Sequence, residues 1–490
     1  MDIAIIIIYT IALLIIFLYS LAQLNLLFNY LKARKQKDNA PVFDFTREEE
    51  IPLVTIQLPV YNELYVMSRL LDNIALLEYP KDKLEIQVLD DSTDESVTTT
   101  AKHIEKLQRQ GLDIKHIRRE DRSGFKAGAL KEGLKIAKGE FIAIFDADFL
   151  PEKNWLQKTI PYFKDENIGV VQTRWGHINR DYSILTKIQA FALDFHFTME
   201  QVGRNHKDHF INFNGTAGAW RKTCIEDAGN WQGDTLTEDL DLSYRAQLKK
   251  WKFKYLEEVE TPAELPVVIS AARSQQFRWN KGAAENFQKL YWKLLKDKTV
   301  PFKTKFHSFF HLLNSSMFLL VLLVAILSVP VLYIKNNNPM FAWYFNVIAS
   351  FALSTVIFFF CYWYTFKKIH GSGFWNFIEY VKMFFTFFSI AMGFSVHNSK
   401  AVLEGHFGKK SEFVRTPKFN INSLKDSWKG NKYINKNISA NTILEALLTG
   451  YFGFALYSAF KLQDFGLFLF HIMLFLGFGF VFFKSVTSKL

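Results

Sequence analysis

The chain has 490 residues, of which 49% are hydrophobic, 16% are aromatic and 22% are charged. A charged fraction near the globular average excludes a disordered or purely structural chain. Lysine and arginine (59) outnumber aspartate and glutamate (48), a net charge of +11, and in a membrane protein such a surplus usually lies in cytoplasmic loops. Two cysteines, Cys224 and Cys361, are too few for a disulfide framework or a four-cysteine metal site. A secreted disulfide scaffold, a zinc module and a collagen-like fibre are thereby excluded.

The first predicted element is a transmembrane helix over residues 1–31. Ile3 to Tyr30 carries no charge and is long enough to cross a hydrocarbon core of about 30 Å. A cleaved signal peptide is the alternative, but it needs a positive start and a shorter apolar core, whereas Asp2 opens this stretch. The basic residues that follow predict a cytoplasmic end and an outside N-terminus. They are Lys32, Arg34, Lys35 and Lys37.

Residues 45–270 are predicted to form a cytoplasmic α/β domain. Short β-rich runs alternate with helical segments, which favours a mostly parallel sheet. The predicted strands are Pro52–Leu58, Leu84–Leu89 and Phe141–Phe145, and the predicted helices include Ala101–Gln110 and Ala127–Ala137. In such sheets, ligands bind beyond the carboxyl ends of the strands. The acidic pairs Asp90-Asp91 and Asp146-x-Asp148 both follow a predicted strand, which predicts a site at this edge.

Asp146 and Asp148 are the first candidate ligands. Two carboxylates on one side of an extended segment can hold Mg²⁺ or Mn²⁺, which share oxygen ligands with substrate phosphates. The alternative is an exposed acidic loop, since a lone Asp-x-Asp pattern is common. Asp90 and Asp91 open a polar turn that suits a nucleoside, and the alternative is capping of the next helix by Ser92, Thr93 or Asp94.

Two further charged clusters lie in the middle of the chain. Arg122 and Lys126 stand among glycines, which suits an approaching diphosphate; the alternative is an ordinary basic loop before a helix. Thr237-Glu238-Asp239 forms an acidic cluster with Asp241, where neighbouring like charges raise a pKa towards the range of a general base. The alternative is a helix N-terminus, with Thr237 as the cap and the carboxylates stabilising the helix dipole.

Residues 271–300 are predicted to form an interfacial helix that carries Gln275-x-x-Arg278-Trp279. The guanidinium can meet a phosphate and the indole can carry a sugar ring, and the alternative is a Trp/Arg membrane anchor. Apolar residues further along recur at helical spacing with lysines on other faces, the pattern of a helix lying on a membrane. They are Phe287, Leu290, Tyr291 and Leu294.

Two transmembrane hairpins are predicted, within residues 307–366 and 441–490. Their uncharged stretches are Ser308–Ile334, Pro339–Phe366, Thr442–Phe460 and Phe465–Phe483. Phe374–His397 is interrupted by Glu379 and Lys382, so it suits an interfacial or re-entrant helix within residues 372–440. Nine Lys/Arg residues between Lys400 and Lys436 predict that this region stays cytoplasmic. Five spans with an inside C-terminus are therefore predicted, and six are the alternative.

From about residue 50 to 420, these motifs together resemble those of membrane-embedded glycosyltransferases of family 2, the cellulose-synthase-like superfamily. The markers are Asp90-Asp91, Asp146-x-Asp148, Thr237-Glu238-Asp239 and Gln275-x-x-Arg278-Trp279. The resemblance implies an α/β domain of GT-A type joined to an α-helical transmembrane bundle. It also implies a nucleotide-sugar donor, a divalent metal (Mg²⁺ or Mn²⁺), and an acceptor held at the mouth of a membrane channel.

The resemblance assigns roles to individual residues. Asp239, with Glu238, is expected to be catalytic, and Asp148, with Asp146, is expected to hold the metal. The residues expected to bind the nucleotide sugar are Gln57, Pro59, Glu63, Asp90, Asp91, Lys126, Asp146, Arg278, Thr416 and Lys418. Those expected to bind the acceptor are Trp279, Gln275, Asn214, Gly215 and Thr216.

Several stretches are similar to the plant mannan and glucomannan synthases and their bacterial relatives. They are Gln57–Glu63, Asp146–Phe149, Gln172–Trp175, Asp194–Phe197, Phe213–Gly218 and Glu264–Pro266. Phe413–Lys418 resembles the gating loop that closes over the donor in this superfamily, although Arg415 replaces a valine. The alternative is that Arg415 and Lys418 are only positive-inside residues.

The expected function is processive, inverting polymerisation of hexose from GDP-mannose or UDP-glucose into a β-glycan (mannan, glucomannan or glucan). Expected partners are the donor, the growing polysaccharide, membrane lipids and accessory secretion subunits, but no nucleic acid, because membrane spans account for the positive charge. The chain is expected to be a multi-pass integral membrane protein with a cytoplasmic catalytic domain, in the plasma or inner membrane if it is bacterial. One alternative is transfer of a single sugar to a membrane lipid. Another is an inactive partner of a synthase, against which Asp148, Asp239 and Trp279 argue. The donor base, the linkage and the chain length stay open.

Overall fold

The computed structural model describes residues 2–36, 40–43, 47, 50–428, 430–433 and 440–487. Lys37, Lys429 and Lys436, which contributed to the predicted topology, lie outside the described residues. The same holds for residue 45, where the α/β domain was predicted to begin.

The described residues form one seven-stranded sheet. Its strands are β1 (Val54–Val60), β2 (Leu84–Asp90), β3 (Ile114–Ile117), β4 (Phe141–Ile144), β5 (Ile168–His177), β6 (Gly218–Arg221) and β7 (Lys252–Ala263). The order is β3-β2-β1-β4-β6-β5-β7. β6 runs antiparallel to both of its neighbours, and the other pairs are parallel. The prediction of a mostly parallel α/β sheet is confirmed, with the ends of the three predicted strands shifted by one or two residues.

One long helix precedes the sheet and eight helices accompany it. They are α1 (Asp2–Ala33), α2 (Met67–Ile74), α3 (Ser96–Arg109), α4 (Phe125–Ile136), α5 (Trp155–Thr159), α6 (Ile184–Phe195), α7 (Gln201–Asn205), α8 (Lys222–Asp227) and α9 (Glu238–Leu248). A π-helical turn, His196–Glu200, joins α6 to α7. The two helices predicted after β2 and before β4 are present as α3 and α4.

Helices cover both faces of the sheet, so the strands are buried on both sides. On one face Leu71 of α2 and Ile104 of α3 belong to the same core as Ile56. On the other face Leu130 of α4 packs in a core with Ile142. Burial on both sides explains the near-continuous apolar runs of β1, β2 and β4. Full burial of one large apolar side chain stabilises the folded state by roughly 1.5–3 kcal/mol.

The second half of the chain is helical. Its helices are α10 (Ile269–Lys296), α11 (Phe302–Leu312), α12 (Met317–Asn337), α13 (Ala342–Ala349), α14 (Leu353–His370), α15 (Phe374–Gly393), α16 (Ser395–His406), α17 (Ala440–Leu462) and α18 (Phe468–Thr487). Among the described residues, five helical stretches are long and apolar enough to cross a membrane. They are Asp2–Ala33, Asn314–Asn337, Pro339–His370, Ala440–Leu462 and Phe468–Thr487. The count agrees with the predicted five spans, and it becomes the alternative six if the bent pair of α15 and α16 counts as one span.

Two features near the membrane helices refine the predictions. α15 and α16 are bent by 53° against each other, the geometry of a re-entrant helix pair or of a broken span. The apolar stripe of α10, predicted to rest on the membrane, faces protein instead: Leu290 and Leu294 are buried in a core with Tyr244 of α9 and Leu312 of α11.

The tips of the two helical hairpins meet. Lys335 Nζ lies 2.7 Å from a carboxylate oxygen of Asp464, and the Asn336 side-chain amide donates to the same carboxylate at 3.0 Å. At the opposite end of α14, Lys368 pairs with Glu258 of β7 at 2.8 Å. Both tips therefore lie on the side of the helical layer away from the sheet.

Candidate active site

A cleft opens at the edge of the sheet where β1, β2 and β4 end. Because these strands are parallel, the residues that follow them meet at this edge. The cleft is lined by Pro59 near the end of β1 and by four residues that follow the strands, Glu63, Asp91, Asp146 and Asp148. The remaining walls come from the starts of α4 and α9, from α10 and from the segment 413–418. The cleft thus collects most residues that the sequence predicted for the donor.

The two carboxylates after β4 are each held by a lysine. Asp146 Oδ1 accepts a hydrogen bond from Lys126 Nζ at 2.5 Å, and its backbone N–H donates to Thr216 Oγ1 at 2.8 Å. Asp148 is 2% exposed, and its Oδ2 accepts from Lys418 Nζ at 2.7 Å. Asp148 Oδ1 is buried without a hydrogen-bond partner among the described residues, so it keeps a free ligand atom.

Asp239 and Glu238 begin α9 at the inner end of the cleft. Burial and the adjacent Glu238 carboxylate raise the pKa of Asp239, and burial also raises the pKa of Glu238. A Cβ on Gly215, at φ +79°, would stand 3.0 Å from Asp239 Oδ2, so a side chain there would crowd the carboxylate. Thr237, an expected cap, instead accepts a hydrogen bond from the Asn286 amide of α10 at 2.9 Å.

α10 carries the predicted Gln275-x-x-Arg278-Trp279 motif along the cleft. Arg278 Nη2 donates to Thr416 Oγ1 at 2.9 Å, and its guanidinium lies 4.6 Å from the ring centre of Phe413. The rings of Trp279 and Trp175 are 6.4 Å apart. Gln275 and Trp279 line both this cleft and a second cavity beside it.

The segment Phe413–Lys418 lies over the cleft, where the gating-loop resemblance would put it. Arg415 Nη1 stands 3.1 Å from Glu63 Oε2, and the next backbone N–H, of Phe419, donates to Glu264 Oε1 at 2.8 Å. Burial, opposed by the Arg415 charge, raises the pKa of Glu63 to about 7. Arg415 and Lys418 both have carboxylate partners, so they are more than positive-inside residues.

Three predicted site residues lie outside the lining of the cleft. Gln57 is fully buried in the sheet, where its amide donates to Gln87 Oε1 at 3.0 Å. Asp90, 1% exposed, pairs with His116 Nε2 at 2.8 Å. Thr216 is buried below Asp146. The expectation that these residues touch donor or acceptor stays a prediction, and in the structure Thr216 supports the lining residue Asp146 from behind.

Sequence reasoning also missed residues that the cleft uses. Arg119 makes a two-pronged pair with Asp91, at 2.9 and 2.5 Å. Arg122, which the sequence did single out, lines the cleft, and its guanidinium lies 3.3 Å from the ring centre of Tyr61. Trp175 lines the cleft and stacks on Phe197. The position of Arg119 just after β3, at the same edge of the sheet, was the available signal.

The second cavity, of about 490 Å³, runs from the cleft into the membrane helices. It shares Asn214, Asp239 and Trp279 with the cleft. Its further walls include Tyr19 of α1, Phe318 of α12, Tyr362 of α14 and Phe387 of α15. Asp239 therefore lies where a charged cleft meets a largely aromatic passage between membrane helices.

Comparison with known proteins identifies the family. A family model described as glycosyltransferase like family 2 matches residues 52–282. The chain is 36% identical to glucomannan 4-beta-mannosyltransferase 2 of Arabidopsis thaliana over 421 residues, which cover 82% of this chain and 74% of the relative. It is 42% identical to glucomannan 4-beta-mannosyltransferase 1 of Oryza sativa subsp. japonica over 261 residues, 52% of this chain and 50% of the relative. The chain spans about half the length of the rice relatives it matches.

A solved structure shares the fold. The mannosyltransferase PcManGT from Pyrobaculum calidifontis, determined in complex with GDP-Man and Mn²⁺, aligns with a TM-score of 0.53 at 18% identity, over 82% of this chain and 100% of that one. At this identity the likeness concerns the fold alone. The extent and identity of the Arabidopsis match establish that the chain belongs to glycosyltransferase family 2, in the group that contains the glucomannan 4-beta-mannosyltransferases.

Proposed function

We propose that the protein is a processive, inverting β-glycan synthase that transfers hexose from a nucleotide sugar, with GDP-mannose as the favoured donor. The observation that carries the proposal is the position of Asp239 between a cleft lined by lysine and arginine and a passage into membrane helices. The names of the Arabidopsis and rice relatives, and the GDP-Man bound to the archaeal mannosyltransferase, favour mannose.

Asp239 acts as the base. Inverting displacement needs a proton acceptor on the face opposite the leaving diphosphate, and a carboxylate with a raised pKa suits that task near neutral pH. The neighbouring Glu238 contributes to that raised pKa through its negative charge. The acceptor hydroxyl gives its proton to Asp239 as its oxygen attacks the anomeric carbon and the bond to the diphosphate breaks.

Basic side chains hold the donor. Lys126 and Arg278 line the cleft and would contact the diphosphate oxygens, for which charge-assisted hydrogen bonds are strong. Asp91, oriented by Arg119, and Pro59 line the cleft at the ends of β2 and β1, where the nucleoside would lie. Thr416 and Lys418 close over the donor from the segment Phe413–Lys418, which we call the gating segment.

A divalent metal fits at Asp148, assisted by Asp146. Asp148 Oδ1 is a buried oxygen with no partner among the described residues. In the described part of the chain, no group of three or more His, Cys, Asp or Glu residues could hold an ion by itself. Mg²⁺ and Mn²⁺ often take one or two carboxylates and complete their shell with substrate phosphates. When bound, the metal would neutralise charge on the leaving diphosphate.

The acceptor would enter from the side of the second cavity. Trp279 offers an indole face to the terminal sugar, Gln275 and Asn214 offer hydrogen bonds, and Gly215 leaves room beside Asp239. The passage between α1, α12, α14 and α15 would carry the growing chain across the membrane. With the sheet cytoplasmic, the N-terminus and the two hairpin tips face outside, and the C-terminus faces inside.

The decisive experiment uses the full-length chain, purified in detergent, with labelled GDP-mannose and UDP-glucose in parallel. Incubation with β-manno-oligosaccharides and linkage analysis should yield alkali-stable polymer that an endo-β-1,4-mannanase cleaves. Label that partitions into organic solvent would instead favour a lipid acceptor. Absence of transfer and of donor hydrolysis with any metal would overturn the proposal and favour an inactive partner of a synthase.

A further inference from the structure

The π-helical turn His196–Glu200 borders the passage next to Asp239. His196, Glu200 and Asn214 all line the second cavity, and Asn214 also lines the donor cleft. Single π turns inside helices recur at functional sites. The turn therefore places two ionisable side chains where donor and acceptor would meet.

The neighbours of His196 determine which of its two ring nitrogens donates a hydrogen bond and which accepts one. Gln201 Nε2 donates to the backbone carbonyl of Asn212 at 3.0 Å, so this atom is the amide nitrogen. It also donates to Asn214 Oδ1 at 2.7 Å, which makes Nδ2 the atom of Asn214 that faces His196. Asn214 Nδ2 lies 3.1 Å from His196 Nε2 and can only donate. His196 Nε2 must accept, and its proton resides on Nδ1, 2.9 Å from Glu200 Oε2.

Glu200 is a firm anchor for this arrangement. It is 3% exposed, and it accepts hydrogen bonds from Gln23 of α1 at 2.6 Å and from Arg204 at 3.1 Å. Burial alone would raise the pKa of Glu200, but the Arg204 charge and the His196 hydrogen bond outweigh it and lower the pKa to about 2. Glu200 therefore stays ionised and holds the Nδ1 proton of His196.

We propose that His196 is a positioning residue that, as the Nδ1-protonated tautomer, aims the Asn214 amide at the acceptor hydroxyl. Asn214 keeps one N–H and one lone pair beyond its bonds to His196 and Gln201. Its successor, Gly215, packs against Asp239. An acceptor sugar held by Asn214 would thus present its hydroxyl to the base. The inference rests on the proposed function and adds the residue that orients its acceptor.

Two isosteric substitutions separate positioning from simple packing. In His196→Gln, the side-chain oxygen can replace Nε2 and still accept from Asn214. In His196→Asn, the side-chain nitrogen can replace Nδ1 and still donate to Glu200. The Asn214 Nδ2 then loses the acceptor that His196 Nε2 provides. We expect His196→Asn to lower kcat/KM for a manno-oligosaccharide about tenfold, the scale of one unpaired polar group. The donor KM and the thermal midpoint should stay near wild type, and His196→Gln should retain most acceptor use.

The matched control is His103→Asn, which changes a half-buried histidine of α3 that pairs with Asp72 of α2, away from both cavities. It should leave both kinetic constants unchanged. Equal acceptor kinetics for His196→Asn and His196→Gln, or an equal change in the donor KM, would overturn the inference.

A spectroscopic readout separates this inference from the proposed function. In protein labelled with ¹⁵N-histidine, the signal missing from His196→Asn belongs to His196, and it should report a protonated Nδ1. A protonated Nε2 would overturn the inference whatever the activity. If the wild-type chain transfers no sugar but Nδ1 is protonated, the proposed function is refuted and the tautomer assignment stands. The role of His196 in orienting the acceptor would then be overturned as well.

Discussion

At the scale of single residues, four carboxylates in one cleft have two different surroundings. Asp146 and Asp148 are each paired with a lysine. Asp239 and Glu238 are buried next to each other, which raises the pKa of both. This difference in surroundings, lysine partners for one pair and a buried acidic neighbour for the other, favours a division between ligands and a base. Because the base acts deprotonated, the transfer rate should rise as pH increases through the raised pKa of Asp239.

The strongest prediction for one residue concerns Asp239→Asn. The new side chain keeps the size of the old one, and its oxygen can still accept the Leu240 N–H bonded to Asp239 Oδ1 at 2.9 Å. It cannot take a proton, so transfer should fall by about 10²-fold or more, the usual effect of losing a general base. Donor binding, measured by calorimetry, should be retained.

Asp234 offers a matched control, because it is exposed, lies shortly before α9 and pairs with Lys289. Asp234→Asn should transfer at a near-normal rate. An Asp239→Asn protein that folds, binds donor and still makes polymer within a few-fold of wild type would remove Asp239 from the mechanism.

Metal dependence is the second prediction at this scale. EDTA should abolish transfer, and Mg²⁺ or Mn²⁺ should restore it, because Asp148 Oδ1 is a buried oxygen in the cleft with no partner in the described part of the chain. Asp148→Asn weakens an ionic ligand, so it should raise the metal concentration needed for half-maximal activity by about tenfold or more. Full activity in EDTA would contradict the metal assignment.

At the scale of elements, the gating segment Phe413–Lys418 contacts three parts of the sheet domain and α10. Arg415, the residue that departs from the superfamily pattern, pairs with Glu63 at 3.1 Å, and both side chains are largely buried. Arg415→Val should raise the donor KM by about tenfold, since one charge-assisted contact holding the segment is lost. The kcat should change less, because Asp239 is untouched.

Lys410→Val is the control for the gating segment, since this lysine is exposed just before it and should leave the donor KM unchanged. Steady-state kinetics with varied donor at saturating acceptor make the measurement. An Arg415→Val enzyme with a wild-type donor KM would show that the pair with Glu63 does not hold the segment over the donor.

The elements also show what the sequence could predict. Strand and helix patterns located β1, β2, β4, α3 and α4 because apolar periodicity is local. Gln57 was expected at the donor, but a motif does not reveal which face of a strand a side chain occupies, and this one packs below Gly133 of α4. The Asp148–Lys418 pair joins residues 270 positions apart, and local patterns carry no information on such contacts.

At the scale of the whole molecule, α6 joins the sheet domain to the membrane helices. Its Asp194 pairs with His177 of β5 at 3.1 Å and with Arg180 at 2.6 Å. On its other side, Phe191 and Phe195 share a core with Tyr362 of α14. The two parts of the chain are therefore coupled by an ion-pair cluster and an aromatic core that belong to one helix.

The Asp194 cluster predicts a pH-dependent stability. Burial alone would raise the pKa of Asp194, but His177 and Arg180 outweigh it and lower the pKa to about 2. A depressed carboxylate pKa stabilises the fold above the unfolded value of about 3.9, and this stability is lost as pH falls towards 2. Asp194→Asn should therefore lower the thermal midpoint at pH 7, and its difference from wild type should shrink below pH 4. A difference that is constant with pH would contradict this.

The final prediction concerns how the chain crosses the membrane. Lys335 and Asp464 pair across the two hairpin tips, while Lys418 pairs with Asp148 of the sheet domain. If α15 and α16 formed a sixth crossing, the gating segment would lie on the opposite side from the sheet domain, and the second tip would be separated from the first. Both contacts therefore favour five crossings, and we expect the tips on one side of the membrane and the gating segment on the other.

Single cysteines can test this topology, because Cys224 and Cys361 are fully buried and give little background. We expect an impermeant maleimide to label Asn337→Cys and Gln463→Cys, at exposed positions of the two tips, in intact cells. Lys425→Cys, in the exposed part that follows the gating segment, should react only after the membrane is permeabilised. Labelling of Lys425→Cys from outside would require the sixth crossing, and it would also break the contact between Lys418 and Asp148 on which donor closure depends.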